Sequence, residues 1–511
     1  MSLTRSYIAT TALGLTLFAT TASADLTAGD VWGDWRGYLE GMGYTVTATE
    51  AAEAGALLVS GISVASNGGA ATDAITVRIG DLQFVENNDG SVAIVMPSEM
   101  PITIDVTNPA PQPLEQIGAL LTQTGQVMTV RGDASALVYD YTADTFGLAL
   151  TSLTEGGAPL DDSSVRFSLT GTALASKTNV TVSDTRSYTQ TMQIGSIAYD
   201  LFMQEEGESE NISINSALSD LSFRGISNMP MGDVSQTQDV AALLAQGFAV
   251  DGTFNANGTE TQIEVTSDEG TTKIKTGTAR STFGIAMDTQ GVRYDVSADQ
   301  VQMGGQLAGL PFPLFVEMAK YGFELRAPVA KSDDPQDFKL AFNMTDFTMS
   351  DIIWALFDAS AQLPRDPATV AIDLSGKAKV LVDGLSPQNA QQLAMTGAAP
   401  AELNALKIDR LLVDALGAKV EATGDITFDN IDTTTMAGIP KPVGDININI
   451  AGANELMDKL TAIGMLPAEQ AMGARMMMGL FAVPGAAPDT LTSKIEFNDA
   501  GQILANGQRI K

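Results

Sequence analysis

The 511-residue sequence contains no cysteine and no histidine. Without cysteine there are no disulfides and no thiolate metal sites, and without histidine the Ser-His-Asp and Cys-His nucleophile arrangements cannot be assembled. A cysteine-free chain in an oxidising compartment is held together by burial alone. At this length a fold can bury roughly three quarters of the surface its unfolded form exposes. Aromatic residues make up 6% of the chain and tryptophan occurs three times, which is sparse for the aromatic girdles of an outer-membrane barrel and for sugar-stacking platforms. Basic residues are also scarce, 28 against 61 acids for a formal charge of −33, so nucleic acid is not an expected partner. No lysine has a serine three residues before it, and Gly-x-Ser-x-Gly, Asp-Thr-Gly, Walker A and Gly-x-Gly-x-x-Gly sequences are missing too.

The first 24 residues read as an export leader. Arg5 supplies the positive start, Tyr7 to Thr20 the apolar stretch, and Ala22-Ser23-Ala24 the small-x-small cleavage site before Asp25. The expected product begins near Asp25 and is periplasmic. No later run is long and apolar enough for a transmembrane helix. The acids are spread along the chain, which reads as a solvated surface. Oxygen-rich segments such as Asn87-Asn88-Asp89-Gly90 read as hairpin turns, since none has the spaced ligands of a calcium loop. No metal or cofactor is expected.

Past the leader, Thr27 to Asp30 can cap a helix carrying Trp32, Trp35, Leu39 and Met42. The period then changes to two. Ile75, Val77 and Ile79 lead through Asn87 to Gly90 and return as Val92, Ile94 and Met96. Phe283, Ile285 and Met287 pass through Asp288 to Gly291 into Val292, Tyr294 and Val296. Similar alternation marks Val165 to Leu169, Ile263 to Ile274, Phe338 to Phe342, Val370 to Leu374, Ile446 to Ile450 and Ile495 to Ile503. One apolar and one wet face per strand is the pattern of antiparallel sheet covered on a single side. Short helices are expected after Ser350-Asp351, after an Asn454 cap, and around Pro467.

In the last third, Trp354-Ala355-Leu356-Phe357-Asp358, Leu363 to Thr369, Gly424 to Asp429, Leu466 to Gln470 with Gly473 to Met477, and Leu504 to Arg509 together resemble the uncharacterised bacterial family DUF2125. The opening Val31 to Trp35 is similar to it as well. The resemblance brings no established activity and no catalytic residues. In style of sheet alone, the pattern also resembles the AsmA-like lipid-transport group, an analogy of architecture.

The sequence therefore predicts a mainly β protein (β-rich α+β) with extended antiparallel twisted sheet forming a groove, covered by a few short helices. Its expected division is a leader at 1–24, an N-terminal β-rich half at 25–235, and a C-terminal half at 236–511 bearing the covering helices. The expected function is non-enzymatic: holding an apolar, lipid-like ligand or docking on an envelope protein. The alternatives are a glycoside hydrolase using two carboxylates and an envelope component with no ligand. The candidate contact residues are Met472, Met476, Met477 and Leu480, because methionine adapts to irregular apolar partners. A helix packed over the sheet would account for the same stripe.

Overall fold

The computed structural model describes residues 25–66, 74–107, 114–155, 158–160, 163–205, 209–232 and 240–511. The leader expected at 1–24 lies outside them. Strand accounts for 63% of the structure and helix for 13%, so the two-residue alternation does build a mainly β fold.

Helix α1 (Ala28–Gly41) opens the chain. It is followed by β1 (Tyr44–Glu53), β2 (Ala56–Ser66), β3 (Ala74–Ile79), β4 (Leu82–Glu86), β5 (Val92–Val95), β6 (Glu99–Thr107), β7 (Leu114–Thr124), β8 (Val127–Asp133), β9 (Ala136–Glu155) and β10 (Ala158–Pro159). Three long strands come next, β11 (Val165–Val182), β12 (Thr185–Gln204) and β13 (Asn211–Pro230), then α2 (Val240–Ala245). The middle of the chain forms β14 (Ala249–Ala256), β15 (Thr259–Ser267), β16 (Gly270–Thr278), β17 (Arg280–Asp288), β18 (Gly291–Gln306), β19 (Leu314–Ala327) and β20 (Gln336–Met349). After α3 (Asp351–Ala355) come β21 (Ala368–Val380), α4 (Pro387–Thr396), β22 (Ala401–Ala415), β23 (Ala418–Asp429) and β24 (Lys441–Ala451). Helices α5 (Ala453–Ala462) and α6 (Ala468–Phe481) precede β25 (Val483–Pro484), β26 (Thr490–Phe497), β27 (Ile503–Ala505) and β28 (Gln508–Arg509).

These strands form one antiparallel sheet in which rows follow each other in chain order. Several rows consist of two short strands end to end. β14 and β15 both pair with β13, and β16 and β17 both pair with β18. Counting about 20 row spacings at roughly 4.8 Å each, the sheet has a contour on the order of 95 Å.

The interruptions fall on one line across the sheet. It runs through Gly61, Gly80, Gly125 and Asp144, then Ala173, Gly195, Asp220 and Gly258, then Ala279, Gln300, Ala319 and Asp346, at matching heights along successive rows. Ala173, Asp220, Gln300 and Asp346 are held at φ of 51°, 46°, 52° and 53°, a left-handed conformation that costs a non-glycine residue roughly 1–2 kcal/mol. Each stands opposite a single residue of a neighbouring strand with no shift of register there, so it bends its strand without an unpaired extra residue. The left-handed residue also reverses the alternation. Ile212, Ile214 and Leu218 are inward before Asp220, and Leu221 and Phe223 are inward after it. The apolar set thus stays on one face along a strand of 20 residues, which a shift of one residue would have flipped. Around the crease, Ile194, Leu221 and Ala256 pack with Phe146, Ile197 and Leu218 from the other flank, so the sheet folds toward its apolar side.

The densest core lies at the N-terminal end. The capping box of Thr27 and Asp30 starts α1, and Trp32 and Trp35 pack against Phe84 at 6.1 and 5.7 Å between ring centres. Val59, Val92, Val130 and Leu137 complete this core. Asp34 fastens the helix to a distant strand, accepting from Arg186 Nη1 and Nη2 at 2.7 and 2.6 Å. Burial pushes the Tyr139 hydroxyl in this cluster up to about 12.

Two local readings need correction. Ile75 to Ile79 do not pair with Val92 to Met96. They form β3 against β2 and β6, while β4 supplies the hairpin partner of β5, because the crease at Gly80 splits the row. Asn454 is not a cap. Gly452 precedes α5, and Asp489 accepts from the Asn454 and Glu455 amides. Helices α2 and α4 lack the apolar period that would announce them. Arg365 pairs with Asp351 and lies 5.6 Å over Trp354. The expected division at 235 falls among residues outside those described, and β13 and β14 hydrogen-bond across it.

Asp358 closes the loop after α3. It is 1% exposed and accepts from the Gln362 and Leu363 amides, both at 2.9 Å. The Gln362 bond, helped by that of Leu363, outweighs desolvation and holds its carboxyl below the usual value. A lowered folded value contributes stability that is present above about pH 4 and lost as pH falls through it. Amide exchange in the 358–363 loop should therefore accelerate below pH ~4 in the native protein and show no such step in Asp358→Asn. The same step in both would remove Asp358 as its origin.

Candidate functional site

Register partners on neighbouring strands point to the same face, so the pairing defines the inner surface directly. One row reads Phe223, Phe254, Phe283, Val296, Phe323, Phe342, Ile372, Leu411, Ala422 and Ile448. The next reads Ile285, Tyr294, Leu325, Leu340, Leu374, Ile408, Gly424, Ile446 and Ile495. No charged residue occupies either row. Tyr321 meets Phe342 edge-on at 5.8 Å. Charges lie on the outer face, where Lys273 pairs with Glu264 at 3.0 Å, Arg293 with Asp251 at 2.9 Å and Lys339 with Glu324 at 2.9 Å.

This inner face is largely uncovered over its second half. Phe283 is 46% exposed, Met303 45%, Leu340 37% and Val413 40%. Exposed apolar surface running across neighbouring strands is the kind that marks a ligand-binding or interaction face. Its two ends are closed. Helix α1 covers the N-terminal end through Trp32 and Val31, and α5 lies against β23, where Ala422 and Ile426 are buried. The result is a creased apolar face, the trough, uncovered along its middle.

The four sequence-predicted contact residues stand apart from it. Met472, Met476, Met477 and Leu480 share the outer side of α6 and are 69%, 70%, 55% and 58% exposed. The opposite side of α6 does the packing, through buried Ala471 and through Arg475, which donates to Asp458 of α5 at 2.6 Å. Helical spacing showed that the four share a face; it carried no information on whether that face is covered. The trough residues, by contrast, were missed as a site, although the reversal of alternation inside each long strand signals them. Among the described residues no group of three or more carboxylates gathers as a metal site, and no helix is long and apolar enough to cross a membrane.

No curated protein and no solved structure matches the chain. The family described as an uncharacterized protein conserved in bacteria, DUF2125, matches residues 234–506, from just before α2 through β27 and thus over the open half of the trough. The phrases from Trp354 to Met477 that carried the resemblance lie within this segment, Leu504 to Arg509 runs past its end, and Val31 to Trp35 lies before it. The chain belongs to the DUF2125 family of bacterial proteins.

Proposed function

We propose that this protein is a non-enzymatic component of the bacterial envelope that holds or passes an apolar, lipid-like ligand along the trough. The observation that carries this reading is the inner face itself, uncharged along both rows yet exposed to a third or more at Phe283, Leu340 and Val413. Covering such surface is favourable by about 25 cal/mol per Å², and a hydrocarbon chain covers it without asking for a hydrogen bond. The leader-like first 24 residues support a periplasmic location. The methionine face of α6 is a second contact, toward lipid or an envelope partner, suited to it by the adaptable shape of methionine.

Purification from the periplasm without detergent, followed by lipid extraction and mass spectrometry, should recover a defined lipid in near-stoichiometric amount. Phe323→Lys and Leu340→Lys, which place a charge among the inner rows, should empty the protein. Asn449→Lys, on the outward side of β24 opposite Glu421, should leave it loaded. A native protein recovered without lipid, or lipid retained equally by all three variants, would count against the trough.

A further inference from the structure

The outer face of the same sheet carries a second concavity. From β11 to β20 the outward residues line a chain of connected hollows that share walls at Asn215, Glu260, Gln262, Gln302 and Phe315, the largest about 610 Å³. Across the rows from β11 to β20 this basin extends on the order of 35 Å. Its chemistry is the reverse of the trough's. Lys275 pairs with Glu260, and Lys273 with Glu264 at 3.0 Å, so each cation's charge is neutralised in place. Gln302 donates to Glu317 at 3.2 Å, and Gln262, Asn215 and Ser213 line the adjoining hollow. Phe315 and Tyr199 are the aromatic residues in the wall. The Phe315 ring lies on Gly304, where any Cβ would collide with it, and the residue stays 52% exposed.

We propose that this basin binds an extended, neutral oligosaccharide. A flat aromatic ring with a free face offers a stacking platform to the apolar side of a sugar, and flanking amides and paired charges offer donors and acceptors to its hydroxyls. An anionic polymer is disfavoured by the net charge of −33. The basin's length takes several sugar units in line. It lies on the opposite face from the trough, so the two sites are read independently.

The test is calorimetric titration of the mature protein with maltohexaose and, separately, with the N-acetylglucosamine hexamer, which distinguishes a plain glucan from an acetamido sugar. At least one should bind with Kd on the order of 0.1–1 mM. Phe315→Ala should weaken that binding about tenfold, Phe315→Trp should preserve it, and Gln262→Ala should weaken it without touching the Phe315–Gly304 contact. Thermal melts of each variant establish that it is folded. Silence with both sugars, or equal binding by native protein and folded Phe315→Ala, overturns the proposal.

Discussion

Asp34→Ala is expected to destabilise the N-terminal end of the protein by about 3–5 kcal/mol, the cost of leaving a buried charge without its partner. Arg186 has a side chain only 6% exposed, and that of Asp34 is 16% exposed. Burial opposes the guanidinium's charge, but the two-pronged bond to Asp34 and the bond from Nε to the Tyr188 hydroxyl at 2.7 Å overcome it, and Arg186 holds its proton more tightly than usual. The ring of Tyr38 lies 4.7 Å from the guanidinium carbon and seals the pair from water. Removing the carboxylate leaves all of this arranged around an unanswered cation. The loss should appear as rapid amide exchange through α1, since Asp34 is its tie to β12. The double variant Asp34→Leu with Arg186→Met should recover most of the stability, because an apolar pair of similar volume removes both charges from the interior. If Asp34→Ala melts like the native protein, the clamp does not hold the helix.

Removal of Asp220 should cost a comparable amount, for a different reason. The residue occupies a left-handed conformation at φ 46°, and its own side chain contributes little to the fold. What matters is that it exists. Without it, residues 211–219 slip by one position, Ile212, Ile214 and Leu218 turn outward, and Ser213 and Asn215 turn into the trough. Three half-buried apolar side chains at roughly 1 kcal/mol each put the loss at about 3 kcal/mol, before any loss of curvature. Asp220→Gly keeps the chain length and relieves the left-handed strain, against the greater chain entropy of glycine, for a change of about 0 to 1 kcal/mol toward stability. Urea unfolding of the two variants should differ by that whole span. A deletion no worse than the glycine substitution would mean that the crease does not set the facing of β13.

The contrast between these two residues shows what was legible in the sequence and what was not. The capping box at Thr27 and the hairpin turns at Asp288 to Gly291 and Ser267 to Gly270 are local devices, and the chain reads them out as expected. The crease is written into the sequence too, but as a change of phase. In β18, Val292, Tyr294 and Val296 alternate at even positions, and Val301 and Met303 at odd ones, with Gln300 between. Taken run by run these look like separate short strands. Recognising one strand of 16 residues requires knowing that the left-handed Gln300 keeps both runs on the same face, and that knowledge comes from the unbroken register with β19. The fate of exposed surfaces was hidden for a related reason. Alternation in β20 and the stripe on α6 each define a greasy side, but cover comes from elements far away in sequence. Here α1 and α5 reach only the ends, so Leu340 remains open in the trough and Met476 open to the outside.

The central claim is that the inner face of the crease, and not the outer one, meets hydrocarbon in the cell. Its most direct measurement places a benzophenone amino acid at Phe323, which points inward on β19, or at Arg326, 58% exposed on the outward side of the same strand, followed by irradiation of intact cells and mass analysis of the purified protein. The account predicts lipid-mass adducts at position 323 and none at 326. Adducts at both positions in equal yield, or none at 323, would contradict it.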